Sequence, residues 1–570
     1  MISMINIRGK VSLLLFYCAL TLTLGLPQEV RCSEPAAVLD MRTVGPRTEP
    51  IPSTAYRRIL YVSPSSGSDE TGAGTRDKPW KTLIFAMSRM EEASASNQAA
   101  VFCAAGLYDT GTLFMKPYVD LYGGFDPEKW DRDIFKYPSV LDGLRVRRVV
   151  VGASQACLDG FVITRGVARY HGGGILCDDT SPRISNNVIT DNLVLEPENL
   201  NPRRIHQSGH FGGGIASLYN ATPVIRNNLL FGNRTSVGNG GGVAFYGWLR
   251  LPRVETSIKN NRVVGGQVPL LENNVIVGNQ AGFNDTNRTR SSNGGGVSCA
   301  HEARPLIRNN VIAGNQALGR GDAGGIYVEY YSDPWIVGNW VLGNSCEDDG
   351  GGFYSMRLGQ PLLEQNIFAG NWSTGGGVGG IRLSKEGRAR LQGNRIVQNQ
   401  SGGGVTSDDS YLEMEGNVVM HNQGGPALTY DMNFNYLMPS RIVKNILRDN
   451  EKGTIRFLEN AGQPLIIEEN NIQGGFAGKG NIDREPGFAE DGVSGTAVSI
   501  QFDARRGLTT LVAAKPLEQG TVLQGRVLRV ENRWSAVKEV KGNRITAWGD
   551  LSAAQNRNQA FEIIPSYRIQ

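Results

Sequence analysis

The sequence predicts an all-β chain: a right-handed parallel β-helix with an N-terminal cap helix and a small C-terminal β-domain. Three observations lead there. Asparagines recur in pairs five residues apart, at Asn187/Asn192, Asn228/Asn233, Asn274/Asn279, Asn310/Asn315, Asn339/Asn344, Asn366/Asn371, Asn394/Asn399, Asn417/Asn422 and Asn445/Asn450. Glycine clusters separate most of these pairs, at 172–174, 212–214, 240–242, 294–296, 350–352, 375–377 and 402–404. Between them lie short alternating apolar runs rich in β-branched residues, as in 212–233, and none is long enough for an ordinary helix. A fixed repeat of this size is a solenoid, and three short strands per unit with tight turns between them make it a β-helix. A leucine-rich repeat would need a Leu-x-x-Leu-x-Leu pattern and a helical back, and neither is present.

Each element follows in chain order. Arg8 and Lys10 precede an apolar run over 11–26, and the stretch 30–33 offers a cut after Cys32, so residues 1–32 are expected to be an export signal. That run is short and ends at Pro27, so no integral membrane span is expected in the mature chain. The expected location is therefore exported: extracellular, cell surface or periplasmic. Residues 33–57 lack any period and are expected to form a flexible lead. Residues 58–99 are expected to cap the solenoid, with a strand over 59–63, a Gly-rich loop and a helix over about 81–92 covering the exposed strand edges. The β-helix is assigned to 100–489, with irregular coils to about 166 and regular ones from 172 to 475. Residues 490–570 alternate as strands again and are assigned to a separate small β-domain, possible as a barrel.

Asparagine suits the inside corner of such a coil. Its amide both donates and accepts, so copies in successive coils can bond one another, and it tolerates left-handed backbone. A buried amide without a partner costs about 1–3 kcal/mol, so the ladder works only in register. The sequons at Asn233 and Asn371 belong to this ladder and should be inaccessible.

Charge and cysteine narrow the function. Removing 1–32 takes away three basic residues and one acidic residue, lowering the formal charge from +4 to +2. A nearly neutral chain is not a general nucleic-acid binder, which would need a basic stripe. The remaining cysteines, Cys103, Cys157, Cys177, Cys299 and Cys346, are odd in number and form no Cys-x-x-Cys motif, so they read as small buried apolar residues. The glycine runs are not followed by Lys-Ser/Thr or a helix, so they are not nucleotide loops.

Three segments carry a family likeness. Tyr61-Val62-Ser63-Pro64, with Gly67, Asp69, Gly74-Thr75 and Pro79-Trp80-Lys81-Thr82, resembles the opening of secreted right-handed parallel β-helix proteins of the pectate-lyase-like superfamily. Leu121-Tyr122-Gly123-Gly124-Phe125 with Leu141-Asp142-Gly143 resembles the second coil of bacterial surface β-helix proteins, and the Gly and Asn coils resemble their repeats. The likeness covers about 60–486. It implies the fold, while the superfamily holds lyases, hydrolases, epimerases and non-catalytic surface proteins.

Turn length points to a ligand. The stretches 193–211, 280–293 and, on another side, 248–269 are long excursions, whereas later turns are minimal; such loops would wall a groove. Two residue sets would face it. His171, His210, Asn239, Asn293, Asp322, Asp348 and Asp349 just precede the glycine runs and would stack at one edge. A divalent cation such as Ca2+ is possible there, but no specific metal motif is present. The second set lies on and after the glycine strand, including Asp178, Asp179, Asp408 and Asp409. Its densest stretch, 301–357, brings the candidate catalytic residues His301, Glu302, Glu329, Tyr331 and Arg357. The candidate substrate-binding residues are Arg304, Tyr330, Asp333, Tyr354 and Arg382, with Tyr327 as a further stacking ring. Arginines could neutralise a uronate during α-proton removal by His301 or Tyr331, giving a lyase. Glu302 and Glu329 could instead act as the acid and base or nucleophile of a hydrolase. Both readings make the partner a polysaccharide or surface glycan. The alternative is a non-catalytic cell-surface or matrix protein that binds glycans or another surface component.

Overall fold

The computed structural model describes residues 40–567, apart from 91–92, 197–210, 248–256, 260–261, 265–267, 284–291, 432–438, 459–464, 518–522 and 553–557. The expected signal at 1–32 therefore lies outside the described residues, as do His210 and most of the three long excursions.

The chain winds as a parallel β-helix. Among the described residues, three long parallel sheets of 14, 13 and 12 strands run its length, with a fourth of seven two-residue strands. One coil shows the order: Ile215–Leu218 after the glycine run, then Val224–Arg226, Leu229–Phe231 and Arg234–Thr235. We call the sheets containing these strands the glycine-strand, first, second and short sheets. Each strand pairs in register with its counterpart one coil on, so that Ile215 meets Val243, Ile225 meets Leu271 and Leu230 meets Ile276. The short sheet was not expected: two residues after the second Asn are too few to show an alternation.

Asparagine locks the coils. From Asn187 through Asn470 to Asn481, each Nδ2 donates to the Oδ1 of the next rung at 2.9–3.2 Å. A second ladder runs from Asn192 to Asn450 at 2.8–3.0 Å. The left-handed residue is not the rung itself but its predecessor: Asn186, Asn227, Asn273 and Asn309 before the first ladder, and Gly232, Gly278, Gly314, Gly343 and Gly370 before the second. The five cysteines are buried and free, and Asn233 and Asn371 are fully buried.

At the N-terminal end, the cap helix spans only Leu83–Ser88. The Thr82 hydroxyl accepts the Phe85 N–H at 3.2 Å, and Leu83, Ala86 and Met87 turn into the core. The expected flexible lead is corrected over residues 40–52, which are strapped along the turns between the first and second sheets. The Gly45 N–H donates to the Asn273 carbonyl at 2.9 Å, Glu49 accepts from Asn186 at 3.0 Å, and Met41 and Val44 are buried.

The C-terminal part is a closed six-stranded antiparallel barrel, built from strands between Val493–Asp503 and Gln559–Ile563. It is not set apart from the solenoid. The outward row of the second sheet is apolar from Val188 through Leu229, Val275, Val311, Trp340 and Ile367, is broken by Arg395, and resumes at Val418 and Ile446. The barrel buries this wall with Val527, Trp534, Trp548, Ile564 and Tyr567. Trp548 also covers Gly45 of the strap, and Trp534 lies over Gly343 and Gly370.

Gly370 (φ +66°) has no room for a Cβ beneath the Trp534 ring. Gly370→Ala is expected to cost roughly 2–4 kcal/mol through left-handed strain and overpacking, and to weaken the near-ultraviolet tryptophan signal. Near-wild-type melting with that signal intact would mean Trp534 does not seat there.

Candidate functional site

The glycine-strand sheet has one wall that changes character along the rod. Alternation sends Ile326 and Val328 inward, so Tyr327 and Glu329 point outward. The outward row in register reads Leu176, Ala216, Ala244 and Ser298, then Tyr327, Tyr354, Arg382 and Thr406. Small or apolar residues thus give way to hydrogen-bonding and charged ones over the coils that follow Ser298.

Acids gather on this wall. The residues before the glycine runs form a third ladder, in which each side-chain oxygen accepts the next rung's backbone N–H. Asn239 accepts from Asn293 (2.9 Å), Asn293 from Asp322 (2.8 Å) and Asp322 from Asp349 (3.2 Å). Asn239, Asn293, Asp322 and Asp349 thus stack coil on coil, Phe211 takes the place between His171 and Asn239, Asp348 is not a rung, and His210 lies outside the described residues. Burial pushes the Asp322 carboxyl up to about 8, aided by the neighbouring charges of Asp348 and Asp349. Asp348 is raised by its own burial and by Asp349. Arg382 spans two carboxylates, Asp408 at 2.9 Å and Asp349 at 3.8 Å, and burial nevertheless raises Asp408.

Glu329 joins this wall to the adjacent turn. Its Oε2 accepts from the Tyr327 hydroxyl at 3.0 Å and from Arg357 Nη1 at 3.1 Å. Burial outweighs both and raises the Glu329 carboxyl. Arg357 lies over the Tyr330 ring at 5.0 Å, and His301 stacks on Tyr330 with centroids 4.6 Å apart. The other face of His301 meets Tyr246, also at 4.6 Å. Burial lowers the His301 imidazole below its ordinary value and Arg357 adds to this, against the pull of Glu302.

The sequence candidates therefore divide. His301, Glu329, Tyr330 and Arg357 come together. Tyr354 is buried beside Tyr327, its hydroxyl 2.7 Å from Ser384 Oγ, and Arg382 lies among the aspartates. Tyr331 is half exposed and Glu302 precedes it in the next column of the turn; the Glu302 N–H donates to the Tyr330 carbonyl. Arg304 and Asp333 face one another at 3.6 Å farther round. The paired residues His301–Glu302, Tyr330–Tyr331 and Arg357–Leu358 are all left-handed (φ +48 to +67°), because the glycine strand leaves through a tight turn. Sequence reasoning placed Asp322, Asp348 and Asp349 in a different set from Tyr327, Glu329 and Asp408. Asp322 and Tyr327 stand five positions apart with the left-handed Ala323 (φ +56°) between them, so strand alternation carried no signal that would have merged the two sets.

Residues 254–481, less than half of the chain, match the family described as "Periplasmic copper-binding protein (NosD)". That periplasmic description agrees with the exported location expected from the first 32 residues. No curated protein sequence matches the chain. Similar solved structures include the Dettilon tailspike protein (gp208), at 13% identity and TM-score 0.35, covering 88% of this chain and 93% of that one. Another is the GH136 lacto-N-biosidase from Eubacterium ramulus, at 12% identity and TM-score 0.26, covering 70% and 68%. The fold itself rests on the strand pairing.

Proposed function

We propose that the protein is an exported polysaccharide-acting β-helix whose reactive wall lies between coils 322–329 and 405–409, and that its chemistry is hydrolysis. The observation that carries this is Asp322, a carboxyl that stays protonated at neutral pH on a wall it shares with Asp349 and Asp408. An acid and a base held at different protonation states by their surroundings are what glycoside hydrolysis requires. Asp322 is the proton donor in this reading, and Asp349 or Asp408 is the base. Tyr330 and Tyr331 offer ring surface at the turn, with His301 and Glu302 beside them. Arg382 orients Asp349 and Asp408, Tyr354 packs beside Tyr327 with its hydroxyl on Ser384, and Arg304 with Asp333 forms an outer contact.

Elimination from a uronate is less well supported. Arg357 and Arg382, the cations that would neutralise the uronate, already face Glu329 and Asp408. The acids of the wall outnumber its cations, which favours a neutral or amino sugar over an acidic one. A second reading is a non-catalytic glycan binder. It is favoured by the same pairings, which satisfy the charged groups without substrate.

Copper, named in the matched family's description, does not suit the donors here. Among the described residues no three His, Cys, Asp or Glu side chains are placed to hold an ion. Cys299 is buried in the core, and His301 is packed between two tyrosine rings.

The test is incubation of the mature protein with neutral, amino and uronate polysaccharides, following new reducing ends and unsaturated-product absorbance. New reducing ends that fall at least about 100-fold in Asp322→Asn support hydrolysis. Retention on a glycan column without turnover supports the binder, unsaturated product supports the lyase, and no glycan contact of any kind removes all three.

A further inference from the structure

The outer face of the first sheet carries an apolar row of its own. Ile225, Leu271, Ile307, Ile336 and Leu363 turn into the core, so the residues just before them, Val224, Leu270, Leu306, Trp335 and Leu362, point outward. These five lie in register on successive coils, and all are half-buried. Exposed Arg183 stands on the coil before the row and exposed Arg390 on the coil after it. The corresponding row of the second sheet, with Leu229, Val275, Val311 and Trp340, is buried under the barrel. None of the five first-sheet residues joins a hydrophobic cluster among the described residues. A bounded apolar row of this kind marks a contact surface.

The flanking row orders the charges. Two positions on from the apolar residues stand Arg226, Glu272, Arg308, Val337 and Glu364, again in register. Arg308 holds Glu272 at 2.6 Å, and the half-exposed Arg226 reaches Glu49 at 3.8 Å. Glu364 accepts the Trp335 indole N–H at 3.1 Å. A second copy laid antiparallel on this face, with the two-fold axis at the coil of Leu306, is complementary to it. Leu306 then meets Leu306, Leu270 meets Trp335, and Val224 meets Leu362. In the flanking row Arg226 of each copy meets Glu364 of the other, and the two Arg308 meet at the axis with a Glu272 on either side. A shift of half a coil either way puts an arginine, Arg183 or Arg390, on an apolar residue, which is costly.

We propose that the mature protein self-associates through this face as an antiparallel two-fold dimer. Five coils at about 4.8 Å make the row roughly 20 Å long, the core of a small interface, so dissociation in the micromolar range is expected. The face lies on a different sheet from the reactive wall, so the dimer and the proposed hydrolysis can fail separately.

Sedimentation of the mature chain is followed as its concentration is raised through the micromolar range. The expected result is a monomer–dimer equilibrium. Arg226→Glu weakens it at least about tenfold, and adding Glu364→Arg to that variant restores it. The axis is located by cysteine substitution. The five cysteines of the mature chain are buried, so the unaltered protein is a blank. Face-to-face sheets stand about 10 Å apart, too far for a disulfide, so a short bismaleimide is used. Leu306→Cys is expected to cross-link to its own copy, whereas the two Leu362→Cys sites would be four coils apart, about 19 Å, and stay unlinked. A chain that remains monomeric throughout, Arg226→Glu without effect, or Leu362→Cys linking as readily as Leu306→Cys each overturns the proposal. If the charge variants do not melt cooperatively, the cross-linking comparison decides.

Discussion

Replacing Asn344 by Ala is expected to destabilise the β-helix by roughly 3–5 kcal/mol, among the largest single-residue effects the chain can show. Asn344 is fully buried in the middle of the second ladder. Its Oδ1 accepts both the backbone N–H (3.0 Å) and the Nδ2 (2.9 Å) of Asn315. Its Nδ2 donates to the Ile312 carbonyl (2.9 Å) and to Asn371 Oδ1 (3.0 Å). Alanine leaves these groups short of partners where no solvent reaches them. Asn481 closes the other ladder and is partly exposed, so water can replace what Asn481→Ala removes, and the expected loss there is nearer 1 kcal/mol. Chemical denaturation followed by circular dichroism compares the two. Equal losses, or less than about 1 kcal/mol for Asn344→Ala, would show that the amides do not lock the coils.

Asp322→Asn is expected to stabilise the protein at neutral and alkaline pH while abolishing the proposed hydrolysis. The sign follows from the carboxyl being raised from 3.8 to about 8 on folding. Between those values the native state holds a proton that the unfolded chain has released, so stability falls as pH rises. The group's contribution is complete below about 4 and lost above about 8. Each unit of difference is worth about 1.4 kcal/mol, and sharing of charge with Asp348 and Asp349 reduces the sum, so roughly 2–4 kcal/mol is expected at pH 8. Asparagine keeps the ladder, because Asn239 and Asn293 already serve in the two preceding rungs. Melting temperature against pH should therefore slope downward from pH 4 to 8 in the native protein and be flatter in the variant. Parallel profiles would mean that Asp322 ionises normally, and the proposed proton donor would be lost with it.

The solenoid was legible because its cause is periodic. Each Asn pair and glycine run repeats the same corner, and a repeat announces itself without any knowledge of three-dimensional contacts. The barrel was readable as strands, but its seat on Val275, Val311 and Trp340 was not, since an apolar outward row looks the same whether covered or bare. The strap at 40–52 gave no signal, because what holds it is single contacts to Asn186 and Asn273 from far along the chain. The candidate wall was half visible. Its residue types could be picked out, yet the pairing of Arg357 with Glu329 and the burial of Asp322 depend on which coils are neighbours and what covers them.

The strap has one more consequence. Met41 and Val44 are held in a slot whose outer side is Trp548, so the opening and the closing stretches of the polypeptide shut on each other. As the protein emerges from its amino end, these early residues must wait, apolar side chains in water, until more than five hundred others have been delivered. Fastening of the strap is then gated by synthesis of the barrel, and a chain cut short before the barrel is expected to keep its windings but leave residues 40–52 unfastened and open to proteases.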